Sequence, residues 1–240
     1  MSRPARIAAL LVAAAALGGC RGTDAARGDA AAAAADATPR EDGWIALFDG
    51  RPLAGGTPVG VAPDTFVVRD GTIVCNGRPE GFLRTDAVYA DYVLELEWRH
   101  AAPRGNAGLF VHAEPEAAPG VPYPKSIEVQ IMDGTETPAY TSQGDVFAIH
   151  GAAMTPDRPH PSGWARCLPS ARRTKPAGEW NRYRVVARGD RLTLEVNGVE
   201  VAGASGVAPR AGRICLESEG AEVAYRNLRL RPLRAAASVR

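Results

Sequence analysis

No stretch of about 15 residues in this 240-residue chain repeats its apolar positions with a helical period, which excludes a core built on amphipathic helices. There is also no long hydrophobic run. The longest candidate, Ile7–Leu17, is too short to span a bilayer comfortably. Charge of one sign is missing as well, since 28 basic against 27 acidic residues leave a formal net charge of +1. No Lys/Arg run is interleaved with aromatics, so nothing favours nucleic acid. Cysteine is scarce, and its four copies lack the spacing of a metal site. No His-x-His or His-x3-His pair marks one either.

What is present begins with a leader. Arg3 and Arg6 precede the apolar run Ile7–Leu17, which ends in Leu17-Gly18-Gly19-Cys20. That order of basic, apolar and small residues is a secretory signal, and a Cys at the junction resembles the lipobox of bacterial lipoproteins. Residues 1–20 are therefore expected to be a signal peptide with Cys20 lipidated, and the protein to be exported and lipid-anchored to a bacterial envelope. Residues 21–42 are mostly Ala, Gly, Asp, Arg and Thr, with no large apolar stripe to pack, and read as a disordered tether. Residues 43–233 suit one larger all-β domain, and 234–240 a polar tail. Cys75, Cys167 and Cys215 remain, an odd number. One disulfide plus a free thiol, or burial of all three as small apolar side chains, are both open.

The domain reads as short strands closed by turn residues. Tyr92–His100 alternates Tyr92, Leu94, Leu96 and Trp98 against Val93, Glu95, Glu97 and Arg99, the pattern of a half-buried antiparallel strand. Asp70-Gly71, Gly189-Asp190 and Asn197-Gly198 each sit between two apolar runs and predict hairpins. About a dozen such strands predict a β-sandwich or jelly roll. Two loops stand out, the proline-bearing Ala113–Lys125 and the long Gly151–Gly178. Ser126–Asp133 is the stretch with chemical content. Its alternation sends Ile127, Val129 and Ile131 to the core and places Glu128, Gln130 and Met132 together on the other face.

The segments GWIALFDG (43–50), RDGTI (69–73), LRTDAVYADYVLELEWR (83–99), GNAGLFVH (105–112), IEVQIMD (127–133), KPAGEWNRYRV (175–185), LEVNGVEV (194–201) and YRNLRLRPL (225–233) run in an order that resembles the bacterial 3-keto-disaccharide hydrolase domain family. Members act as 3-keto-glucoside 1,2-lyases and 3-keto-2-hydroxy-glucal hydratases. The resemblance implies an all-β, concanavalin-like jelly roll of two packed antiparallel sheets, with sugar bound in its concave face. Two positions depart from the family pattern. The usual Asn-Ser-Gly is Asn106-Ala107-Gly108, and the usual Arg at the end of the following strand is His112.

A ketone at C3 of a glucoside acidifies the C2 hydrogen. Removing that proton and expelling the C1 group cleaves the glycoside, and hydration of the glucal completes a net hydrolysis. The chemistry calls for a base near C2, an acid for the leaving group, and a donor or divalent metal ion on the enolate oxygen. Glu128 is the expected base, held on a strand. His112 and His150 are candidate general acids or metal ligands. Gln130, Asn106, Arg99, Arg84 and Trp164 are candidate sugar contacts. Two alternatives compete: a non-catalytic carbohydrate-binding module, and a retaining glycoside hydrolase of the glucanase type. The latter needs two carboxyls roughly 5–5.5 Å apart, and Gln130 stands where an alternating strand would carry the second.

Overall fold

A computed structural model describes residues 43–48, 56–133, 144–161 and 163–233. The leader with Cys20, the tether and the tail lie outside the described residues. These residues form strands and no helix: β1 (Ile45–Phe48), β2 (Gly56–Val59), β3 (Phe66–Arg69), β4 (Thr72–Cys75), β5 (Gly81–Thr85), β6 (Tyr92–His100), β7 (Asn106–Ala113), β8 (Ser126–Met132), β9 (Val146–Ile149), β10 (Ala153–Pro156), β11 (Arg166–Cys167), β12 (Asn181–Arg188), β13 (Arg191–Val196), β14 (Val199–Ala208), β15 (Arg213–Ser218) and β16 (Val223–Pro232). They pair antiparallel into two sheets. One runs β10-β14-β13-β12-β6-β16-β4-β3, with β1 also on β16; the other runs β11-β9-β8-β7-β15-β5-β2. This is the jelly roll expected from the pattern.

The turn chemistry explains the hairpins. Asp70 and Gly71 have φ of 50° and 71°, and Asn197 and Gly198 have 49° and 84°. Two successive positive φ values define the turn whose twist matches paired strands, and Asp, Asn and Gly tolerate it best. The flanking strands pair right up to these turns, Arg69 opposite Thr72 and Val196 opposite Val199.

Between the sheets lies one large core. From β6 it takes Tyr92, Leu94, Leu96 and Trp98, and from β8 it takes Ile127, Val129 and Ile131. Trp98 meets Tyr183 edge-on with ring centroids 5.3 Å apart. The Tyr183 hydroxyl then donates to the Gln130 carbonyl at 2.8 Å, so β12 pins β8 across the sandwich. The residues between the inward ones, Glu128 and Gln130, must therefore face away from the core. The three thiols Cys75, Cys167 and Cys215 are free and buried. The segment 151–178 differs from its reading as loop, because β10 and β11 lie within it. Both are edge strands too short for alternation to show.

Candidate functional site

Residues directly opposed across an antiparallel ladder share a face. Arg84 on β5 opposes Cys215 on β15, Cys215 opposes Phe110 on β7, and Phe110 opposes Glu128 on β8. Glu128 in turn opposes Phe147 on β9, and Phe147 opposes Arg166 on β11. One row thus crosses the smaller sheet on the side away from the core, from Arg166 at one edge through Glu128 to Arg84, which opposes Thr57 on the other edge strand β2. In the neighbouring row, Phe82 opposes Glu217 and Gly108 opposes Gln130.

Gly108 organises the acidic groups. A Cβ at Gly108 would stand 2.6 Å from Glu217 Oε2 and 3.0 Å from Glu128 Oε1. The two oxygens therefore approach within about 5.6 Å of each other, the sum of those distances. Only glycine leaves room for both carboxyls over a strand interior. Glu219 joins them: its carboxyl hydrogen-bonds that of Glu217 and accepts from the Asn106 amide. Glu128 and Glu217 are both buried, and Glu217 Oε2 has no hydrogen-bond partner.

Burial and mutual repulsion govern their protonation. Desolvation first, then the Glu219 and Asp145 charges, push Glu128 up to about 8, against the pull of Arg166. Burial and the charges of Glu128 and Glu219 push Glu217 well above the usual carboxylate range. Burial raises Glu219 too. Like charges this close cannot all ionise, so the cluster retains protons at neutral pH. Tyr123 leans over Phe110 with centroids 5.7 Å apart, and its hydroxyl, without a partner, lies in the field of Glu217, Glu219, Glu80 and Glu128. At the far end of the Glu128 row, Arg166 Nε donates to Asp145 at 2.6 Å, both side chains being buried. The guanidinium lies 4.7 Å over the Phe147 ring, and its Nη2 has no partner. Among the described residues no three His, Cys, Asp or Glu side chains converge as a metal ion requires.

The residues expected from sequence divide into two groups. Glu128, Gln130, Asn106 and Arg84 do share this face. Gln130 spends its side-chain carbonyl on the Ile131 N–H at 3.0 Å, and Asn106 serves Glu219, so each orders the cluster as well as lining it. Arg84 is tied to Asp86 at 3.2 Å. Trp164 is exposed, two residues before Arg166 at the sheet edge.

Three others lie elsewhere. His112 has φ of 52°, which breaks the alternation of β7 and turns its ring inward against Tyr92, centroids 5.6 Å apart. Its nitrogens lie 3.0 Å from the Pro209 carbonyl and 3.3 Å from the Ala90 carbonyl, and burial lowers its proton affinity against the pull of those two carbonyls. This is a satisfied structural histidine and not a partner of Glu128. His150 follows β9 in an exposed left-handed turn, three residues past the Glu128 row. Arg99 belongs to the other sheet, stacked over Trp180 at 4.7 Å.

Glu217 and Glu219 were not among the expected site residues. The signal was present: Leu216-Glu217-Ser218-Glu219 places two glutamates in alternation at a strand end. Their meaning depends on β15 lying beside β7, which no local pattern reveals. A second carboxyl is therefore present, contrary to the expectation from β8 alone. Gln130 does occupy the alternate position on β8, but the partner comes from β15.

The sequence profile of the 3-keto-alpha-glucoside-1,2-lyase-like domain matches residues 43–231. No protein of curated function is detectably similar in sequence. Among solved structures, a putative glycosyl hydrolase from Parabacteroides distasonis superposes with a TM-score of 0.61 at 20% identity, covering 80% of this chain and 94% of its own. The carbohydrate-binding module CBM66 from Bacillus subtilis gives 0.52 at 15% identity, covering 74% and 95%. The beta-glucanase of Bacillus licheniformis gives 0.54 at 13%, covering 81% and 100%. At these identities the likeness is one of fold.

Proposed function

Because the chain belongs to the 3-keto-alpha-glucoside-1,2-lyase-like domain family, we propose that it cleaves 3-keto-glucosides by proton abstraction at C2 and elimination of the C1 substituent. The observation that carries this reading is the pair of buried carboxyls meeting over Gly108. Glu128, once ionised, takes the C2 proton, and the electron pair forms the enolate on the C3 oxygen. The enolate collapses to restore the C3 carbonyl, forms the C1–C2 double bond and breaks the bond from C1 to the leaving oxygen. That oxygen takes a proton from Glu217, which its surroundings keep protonated. The amide of Gln130 and the Nη2 of Arg166 are donors on the same face for the sugar oxygens. Addition of water across the glucal double bond would make the outcome a net hydrolysis.

A retaining glycosidase is the second reading, favoured by one observation: two carboxyl oxygens no more than about 5.6 Å apart. A sugar-binding module without turnover is the third. The test uses a 3-keto-glucoside and the matching plain glucoside, each with a chromogenic leaving group, with and without divalent metal ions. Release from the keto sugar alone, abolished in Glu128→Gln, supports elimination. Release from the plain glucoside points to ordinary hydrolysis. Binding without release, in a folded protein under every metal condition, leaves the binding module.

Export and lipid anchoring at Cys20 belong to the same reading, supported by the residue order of the leader. Fatty-acid labelling in cells should be lost in Cys20→Ala, and a wild-type chain that takes up no label would overturn it.

A further inference from the structure

The segment 114–125 between β7 and β8 lies over part of the face that carries the carboxyl cluster. Phe82, Phe110 and Cys215 point away from the core, yet all three are fully buried, with Ala117 and Tyr123 of this segment packed against them. The segment is tied down. The Glu114 N–H donates to the Lys125 carbonyl at 3.0 Å and the Ala118 N–H to the Tyr123 carbonyl at 2.8 Å, so its two arms are paired with each other. Pro122 and Pro124 flank Tyr123. Each fixes its own φ, and Pro124 also confines the backbone of Tyr123 to extended conformations. The Tyr123 ring rests on Phe110, the direct ladder partner of Glu128. Backbone and ring contact thus hold this side chain beside the carboxyls.

Packing accounts for the ring and not for the hydroxyl. The phenolic oxygen is sealed from solvent and has no hydrogen-bond partner, although the carboxyls of Glu217, Glu219, Glu80 and Glu128 all act on it. Phenylalanine would fill the same space without an unpaired polar atom. Glu217 Oε2, the Asn106 side-chain oxygen and Arg166 Nη2 are unpartnered on the same face. Buried polar atoms without partners are few in native proteins, and a group of them on one face marks the place of a polar ligand. Among these atoms the tyrosine hydroxyl is a neutral donor. Burial and the surrounding carboxyls raise its proton affinity, so it keeps its proton where Glu128 first becomes ionised.

We propose that Tyr123 is a catalytic residue, its hydroxyl donating to the C3 oxygen of the bound 3-keto sugar and holding the enolate as it forms. This role rests on the elimination reading above. The C2 hydrogen leaves as a proton to Glu128, the electron pair moves on to the C3 oxygen, and the phenol keeps its own proton while its hydrogen bond to that oxygen tightens. A donor aimed at the atom where charge develops stabilises the transition state more than the bound ketone. Ionised carboxyls nearby oppose a second negative charge in the same dry site, which gives a neutral donor there its purpose.

The test compares the full-length protein with Tyr123→Phe by two readouts. One is release from a 3-keto-glucoside with a chromogenic leaving group. The other is exchange of the C2 hydrogen in D2O for a methyl 3-keto-glucoside, whose poor leaving group lets enolate formation be read by itself. Both rates should fall by about a hundredfold in Tyr123→Phe, the usual effect of removing one such donor. KM should stay within about threefold and the melting temperature should not drop, since the bond is made mainly in the transition state and the ring still packs. Unimpaired exchange in Tyr123→Phe would overturn this role alone. A slower variant that also melts several degrees lower would overturn it too, by showing a structural effect. If the wild type neither exchanges nor releases, the elimination reading falls and takes this role with it.

Discussion

Glu128→Gln removes a carboxyl that the folded protein holds at a proton affinity far from that of the unfolded chain, and the variant's stability relative to the wild type should grow as pH rises. In the unfolded chain this group titrates at the ordinary 4.5; in the fold, burial and neighbouring carboxyls bring it up to about 8. Between those values the native state binds a proton that the unfolded state has released. Stability therefore falls with increasing pH across that window. Each tenfold change in proton affinity is worth about 1.4 kcal/mol, and because the shift is shared with Glu217 and Glu219 the gain is on the order of a few kcal/mol. Glutamine has the shape of the protonated acid and no charge to bury. At pH 5 the two proteins should melt nearly together. At pH 9 the variant should melt higher, by on the order of 10 °C for a domain of this size. Thermal melts of both proteins from pH 5 to 9, followed by near-ultraviolet circular dichroism, make the comparison. Parallel melting curves across that range, or a variant less stable at pH 9, would refute the account of a charge held in a dry site at a cost. The same substitution should abolish turnover, so that stability and activity move in opposite directions.

Further expectations concern the same site. If Glu128 is the base, kcat/KM on a 3-keto-glucoside should rise about tenfold per pH unit and level off near pH 8; a fall above pH 8 would make it the acid of a glycosidase instead. Gly108→Ala places a methyl where the Glu217 and Glu128 oxygens stand, 2.6 and 3.0 Å away. Both are ends of flexible side chains, so the melting temperature should change little, within about 1 kcal/mol in stability, while turnover falls by at least about a hundredfold through displaced carboxyls. Arg166→Met leaves the buried Asp145 without its cation and should cost about 3–5 kcal/mol in urea unfolding. A loss below about 1 kcal/mol would show that the pair is not sealed from water.

Much of the architecture is local information. Tyr92–His100 and Ser126–Met132 declare by alternation which side chains enter the core, and the structure places them so. Asp70-Gly71 and Asn197-Gly198 require positive φ at two successive positions, which these residue types adopt at little strain. Edge strands such as β10 and β11 were not legible, since two to four residues carry no period. His112 shows the limit of alternation. One left-handed residue near the end of β7 reversed the face on which its ring lies, and the family comparison offered an arginine there, not a rotation.

The sequence alone determined that the chain is all-β, where most strands begin and end, and that Glu128 would lie on the face away from the core. Periodicity and turn chemistry are properties of neighbours along the chain. Only the tertiary structure decided what Glu128 faces. Sheet order brings β15 alongside β7, so that Glu217, 89 positions further on, meets Glu128 above a glycine. The raised proton affinity of the pair follows from that meeting and from the burial around it. It is a property of distance and dielectric, which residue order does not contain.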